Sequence, residues 1–405
     1  MSAGLGRVFS VSGKDRGAIL PGGHQGKAFW YSKSSGQFVT SSYYYQSYPQ
    51  WVEGWNQKLL SDHFRGNQWA LSREGRDYRK LTEDDRAFEA DLLGFGRTFP
   101  HNYGDSKYVP LLVGLSPPID EITIDFALTM MDNESIGLAT GTDMLAISLS
   151  ATDYVGHLYG SGSLEAEDNL FRLDRQLAKL FTFIDERVGL ENTLIVLSAD
   201  HGGPRAPEVY EQQGLSAGRI PLGFFKQQNP IHTVLDRELG EGSYTLNHSH
   251  PYLYLDINKE FSAEAIARAE RIAARAAENI PGIYRAMTQT EMMAADGQHS
   301  PLEQLIVNNF QAERSGSIHL VQDKYWFLHS TDEAKKMHIE SLAAIHGSPW
   351  EYDTHVPIFF AGYGLRPSVV ARQVSPADIS GTLAEVLGIS RPPAASLNYL
   401  YEVMQ

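Results

Sequence analysis

Short apolar runs alternate with longer amphipathic stretches along this chain. Val8 to Ser12 reads as a strand that begins almost at the first residue. Ala28 to Tyr31 and Gln37 to Tyr45 alternate aromatic or β-branched with polar residues around Ser34-Ser35-Gly36, which predicts a hairpin. Leu145 to Ser150 and Thr193 to Ser198 are continuous apolar runs of the kind found in buried parallel strands. Between them Leu170, Leu173, Leu177, Leu180, Ile184 and Val188 recur in steps of three and four, the signature of one helix face. Ser163 is placed to cap that helix and Gly189 to end it. Strand, helix and strand together predict a right-handed βαβ unit in a parallel sheet.

A second block follows. Tyr252 to Asp256 reads as a strand, and Ser262 to Asn279 as an Ala-rich helix. Ile318 to Gln322 and Tyr325 to Leu328 predict another hairpin, and Val356 to Ala361 an apolar strand. Ser375-Pro376 opens a helix that ends near Gly388, with Pro at the favoured first position. This alternation predicts an α/β fold built on a doubly wound, mostly parallel sheet, with inserted hairpins and a small accessory subdomain.

Composition narrows the function. The 405 residues are 42% apolar and 20% charged, an ordinary globular balance. Lys and Arg total 34 against 49 Asp and Glu, a formal charge of −15. No basic cluster offsets that charge, which argues against nucleic-acid and anionic-membrane partners. An anionic substrate would need a local reversal of sign from a metal or a few placed cations. There is no Cys, so disulfides, sulfur-ligated zinc and thiol nucleophiles are excluded. The opening Met1 to Gly13 has no signal-peptide pattern. Apolar runs such as Val356 to Gly362 are too short to span a bilayer.

Ligands in open α/β sheets bind beyond the carboxyl ends of the strands. Three segments carry metal-type side chains near such positions. Asp153 and His157 follow the strand at Leu145 to Ser150, four residues apart, and converge if the chain winds into a helical turn. Asp200-His201-Gly202-Gly203 follows the strand at Thr193 to Ser198, with glycines that permit close backbone approach. His346-Gly347 and Asp353-Thr354-His355 lead into the strand at Val356 to Ala361. Each segment alone also reads as polar turns and helix caps. Oxygen and nitrogen donors without sulfur suit zinc, manganese or iron. Asn247-His248-Ser249-His250 reads more simply as a polar edge strand than as a ligand pair.

Taken jointly, Thr152-Asp153-Tyr154-Val155-Gly156-His157, Ser198-Ala199-Asp200-His201-Gly202 and Asp353-Thr354-His355-Val356-Pro357 resemble the alkaline phosphatase superfamily. The likeness is greatest to its phosphate-irrepressible alkaline phosphatases, a group similar to type I phosphodiesterases and nucleotide pyrophosphatases. The run Lys14-Asp15-Arg16 strengthens the match. The resemblance implies one domain over residues 1–405, with excursions at about 27–130 and 205–330. It implies two zinc ions, the first held by Asp153, His157 and His355, the second partly by Asp200 and His201. Lys14 and Arg16 would bind the phosphoryl oxygens, and on an extended segment they point to the same side while Asp15 points away. The implied substrate is a small phosphate monoester, hydrolysed through a phospho-enzyme between two metal ions. A periplasmic or secreted location and a monomeric state are the matching expectations.

One part of the family pattern has no counterpart. The nucleophilic Thr and a further Asp ligand precede the Lys-Asp-Arg segment in that family, and nothing in Met1 to Gly13 supplies them. The first strand-helix unit is therefore expected to be missing from an N-terminally incomplete domain. Two alternatives follow: a phosphodiesterase or nucleotide pyrophosphatase, and a catalytically inactive zinc-binding fragment. With the second ion left two ligands, one tightly bound zinc per chain and little turnover are expected.

Overall fold

A computed structural model describes residues 6–80, 83–221, 224–225, 228–258, 260–294, 299–329 and 342–404. The central sheet is built from β1 (Val8–Ser12), β2 (Lys27–Ser32), β3 (Gln37–Val39) and β4 (Met144–Ser148), in the order β3-β2-β1-β4. β1 runs parallel to β2 and to β4, and β2 and β3 form the expected antiparallel hairpin. α1 (Asp15–Gly22) links β1 to β2, and α2 (Pro118–Glu134) packs on the sheet. The core between them is aromatic. Phe38 stacks on Phe126 of α2 at 4.3 Å, and Phe29 and Trp55 pack against the same ring. Residues 27–39 thus belong to the central sheet rather than to an excursion, because their Phe29, Tyr31 and Phe38 supply its main core.

Beyond β4 come α3 (Ala151–Tyr159), α4 (Leu164–Arg187) and β5 (Leu194–Ser198). Ser163 caps α4 as its position predicts, accepting a bond from the Ala166 N–H at 3.0 Å. The pairing of β5 differs from the predicted βαβ unit. β5 forms an antiparallel ladder with Ile358–Gly362 and not with β4, whose second edge has no strand partner among the described residues. The chain after residue 353 folds back along β5 and pairs with it.

A second core lies between residues 220 and 328. Four antiparallel strands, Tyr244–Ser249, Tyr252–Ile257, Ile283–Thr288 and Ile318–Gln322, form its sheet. The Ala-rich helix Ala263–Glu278 lays Ala269, Ala273 and Ala277 against it, small residues that let helix and sheet approach closely. The predicted second hairpin does not form. Ile318–Gln322 pairs within this sheet, whereas Trp326–His329 pairs in parallel with Gly218–Pro221. Among the described residues, no helix is long and apolar enough to cross a membrane.

Candidate metal centre

α3 begins where β4 ends, and its start is fixed from below. The buried Asp120 carboxylate of α2 accepts the N–H groups of Ser150 at 2.7 Å and Ala151 at 3.0 Å. This satisfies donors that a helix start leaves open. Burial pushes the Asp120 carboxyl up to about 6, against those two bonds. One turn later Asp153 and His157 share a face, at i and i+4.

Three imidazoles converge on one oxygen of Asp153. Its Oδ1 lies 3.2 Å from His157 Nε2, 3.1 Å from His346 Nε2 and 3.7 Å from His201 Nε2. The His201 and His346 rings stack with centroids 3.4 Å apart. The Nδ1–H of His157 donates to the Ala344 carbonyl at 3.0 Å, and that of His201 to the Gly202 carbonyl at 2.8 Å. Such bonds fix ring orientation and turn Nε2 toward the centre, as they do in metal-binding histidines. The donor atoms of Asp153, His157 and His346 all lie within 4.8 Å of one another. One carboxylate and two or three oriented imidazoles make a donor set that fits zinc or a related divalent ion.

The electrostatics are those of a site built for charge. Burial works to raise the Asp153 carboxyl. Bonds from His157 and His346 and the Lys14 charge outweigh it and hold the group well below the usual carboxylate range. Burial likewise opposes the His157 cation, yet the bond to Asp153 leaves its pKa raised. Lys14 Nζ donates to the second oxygen of Asp153. An ammonium thus stands directly beside the donor cluster.

The loop carrying His346 is held by Asp353. Asp353 Oδ2 accepts bonds from Gly347 N at 3.0 Å, Ser348 N at 2.8 Å and Ser348 Oγ at 2.6 Å. The loop carrying His201 is tied to the same place, since Gly202 N donates to the Asp353 carbonyl at 2.7 Å. A Cβ on Gly202 would sit 2.2 Å from the Tyr352 carbonyl oxygen, so only glycine allows this approach.

Two expectations change. His355 is not in the cluster; it is exposed, just past the short helix Glu351–Thr354, and His346 is the third member of the donor cluster. The reason is the Asp353-held turn, which carries the earlier histidine inward. Lys14 and Arg16 also do not lie on one extended segment. Asp15 already begins α1, so Lys14 is turned inward while Asp15 and Arg16 are exposed on the first helical turn. Asp200 stands at the rim, its side chain 88% exposed, with Oδ2 3.5 Å from His201 Nε2. His248 and His250 do not act as a pair: His248 stacks on Phe225, and His250 lies in the turn beyond the strand.

Sequence reasoning missed Lys33. It follows β2, and its Nζ donates to Tyr154 Oη at 2.5 Å while lying over the same ring as Lys14. Burial, with repulsion from Lys14 and Arg16, pulls its pKa down to about 8. A lone Lys in a hairpin turn carries no local signal of this role. His346 did carry one, the following glycine, which adopts φ +114°.

The family of type I phosphodiesterases and nucleotide pyrophosphatases matches residues 6–349. An alkaline phosphatase, PhoV, of Synechococcus elongatus is 30% identical over 392 residues, covering 95% of this chain and 68% of that protein. A protein of Myroides odoratus described as a calcium-transporting ATPase is 30% identical over 394 residues, covering 95% and 70%. The crystal structure of the alkaline phosphatase PafA superposes with a TM-score of 0.85 at 25% identity, covering 99% of this chain and 75% of that one.

Proposed function

Because the chain belongs to the type I phosphodiesterase and nucleotide pyrophosphatase family, with alkaline phosphatases among its relatives, we propose that it hydrolyses phosphate monoesters at the Asp153–His157–His346 centre. The observation that carries this reading is Lys14. Its ammonium sits on Asp153 Oδ2 while the histidines face Oδ1, so a cation adjoins the donor set. That arrangement suits a phosphoryl dianion in a chain of charge −15.

Asp153, His157 and His346 would hold one divalent ion, with zinc the best match to the donors. The ion supplies Lewis acidity toward a phosphoryl oxygen when bound. Lys14 orients a second phosphoryl oxygen as a point charge, and exposed Arg16 offers its planar fork at the entrance. Lys33 adds a third positive charge behind Tyr154. Asp200 and His201 would share a second ion, as the resemblance implies. The exposure of Asp200 favours a weak second position and supports the alternative of a zinc-binding chain with little turnover.

The test is metal analysis beside kinetics on an aryl phosphate monoester and its diester. One tight equivalent of zinc is expected, lost in His346→Ala and kept in His355→Ala. Lys14→Ala should lower the monoester rate far more than the diester rate. Metal lost in His355→Ala but kept in His346→Ala would refute the ligand set. A Lys14→Ala variant with undiminished monoester hydrolysis would refute the phosphoryl-binding role.

A further inference from the structure

A second site of reversed sign lies away from the donor cluster. Lys80 with residues 83–89, the turn between α3 and α4, and the loop after Pro204 line a small, partly open pocket. Its walls carry three cations, Lys80, Arg86 and Arg205. They share one ionised carboxylate. Glu83 accepts Lys80 at 2.9 Å and lies 3.4 Å from Arg86, and the bond from Lys80, with the charges of Arg86 and Arg205, holds it below the usual range. Glu89 is the other carboxyl in the wall. Burial and the nearby Glu165 push it up to about 8, so it stays neutral at pH 7 and can donate a hydrogen bond. Glu167 is turned to the backbone N–H groups of Arg79 and Lys80.

Three cations stand against two carboxyl groups in this wall, in a chain of −15. Arg205 is the least committed of the three. It makes no ion pair among the described residues, and its side chain lies along Gly162, where a Cβ would come within 3.0 Å of Nε. A planar guanidinium beside an arginine and a lysine matches the oxygens of a tetrahedral anion.

We propose that this pocket binds a small dianionic oxyanion of the inorganic phosphate class, separately from the Asp153 centre. Its position gives the binding a consequence. Tyr159 and Gly160 in the wall close the helix that carries Asp153 and His157, and Arg205 continues the loop of Asp200 and His201. An anion held here braces both segments at once.

The experiment is calorimetric titration of the full chain with inorganic phosphate and, in parallel, sulfate, at low ionic strength, before and after treatment with a chelator. One phosphate equivalent should persist after chelation, and should bind sulfate in competition. Arg205→Gln and Arg86→Gln should each weaken that equivalent about tenfold or more. Lys14→Ala and Arg16→Ala should leave it unchanged. Glu83→Gln, which removes a negative charge from the wall, should bind at least as tightly, an outcome that a folding defect does not mimic. No phosphate binding after chelation, an affinity in Arg205→Gln within twofold of the parent, or loss in Lys14→Ala alone would each overturn the proposal. Because the readout needs neither bound metal nor turnover, it stands or falls independently of the hydrolytic reading.

Discussion

Asp353 touches no substrate, yet its removal should reach the metal centre. It is 4% exposed, and its Oδ2 alone accepts three bonds, from Gly347 N, Ser348 N and Ser348 Oγ. Asp353→Ala leaves three donors in a buried turn without an acceptor, at about 1–3 kcal/mol each. Part of that loss is offset, because Asp353 Oδ1 is buried with no hydrogen-bond partner and burial already raises the carboxyl's pKa. The net expectation is roughly 2–4 kcal/mol of stability. Asp353→Asn keeps one acceptor oxygen and should cost only about 1 kcal/mol. Both should loosen His346, and Asp353→Ala should weaken zinc binding about 10–100-fold, as losses of outer-shell support commonly do. Denaturant melts of the chelated protein give the first quantity, and competition with a chromophoric chelator gives the second. If Asp353→Ala melts like the parent and holds zinc as tightly, the turn is not what positions His346, and the argument fails.

Gly202→Ala places a Cβ 2.2 Å from a backbone oxygen that cannot rotate away. It should destabilise by about 1–3 kcal/mol and lower zinc affinity, and a variant indistinguishable in both would refute the close-approach argument. Glu89 gives a pH dependence of definite sign. Its native pKa of about 8 lies above the ordinary 4.5, so the native chain keeps a proton that the unfolded chain has lost between those values. Stability from this group is full below about pH 4.5 and declines as pH rises through about 8. Glu89→Gln should therefore gain stability relative to the parent between pH 5 and pH 8 in phosphate-free buffer; a pH-independent difference would count against the burial of Glu89. Arg285 bonds Glu278, Glu291 and Glu303 at 2.6, 3.0 and 3.2 Å. Arg285→Ala should cost about 1–3 kcal/mol at pH 7, allowing for partial solvent screening, and less at pH 4 in urea melts.

Elements were legible where local chemistry decides them. Ser163 caps the helix it was expected to cap, and Ser262, read as the start of the Ala-rich helix, caps that one, because a side-chain oxygen before an apolar repeat has little else to do. The apolar runs at β4 and β5 were equally plain, and so were Asp153 and His157, whose spacing alone brings them together once the turn forms. Pairing was not legible. Nothing near β5 says that it ladders with residues 358–362, a contact more than 150 residues away. The choice between His346 and His355 had the same character. Both follow plausible motifs, and only the turn around Asp353 decides which ring meets Asp153. Lys33 reaches the centre through the parallel pairing of β1 with β2, a relation no window of sequence contains.

The second core occupies the chain between His201 and His346, both of which face Asp153. Its entry and its exit therefore pass through the same few ångströms, pinned further by the backbone bond from Gly202 to Asp353. An ion held by these residues would fasten the two ends of that loop together, and loop closure in the unfolded chain is entropically costly. Metal occupancy would then govern more than chemistry. Filling the centre should hold the inserted subdomain in place, so slower limited proteolysis between residues 205 and 330 is the expected mark of an occupied centre.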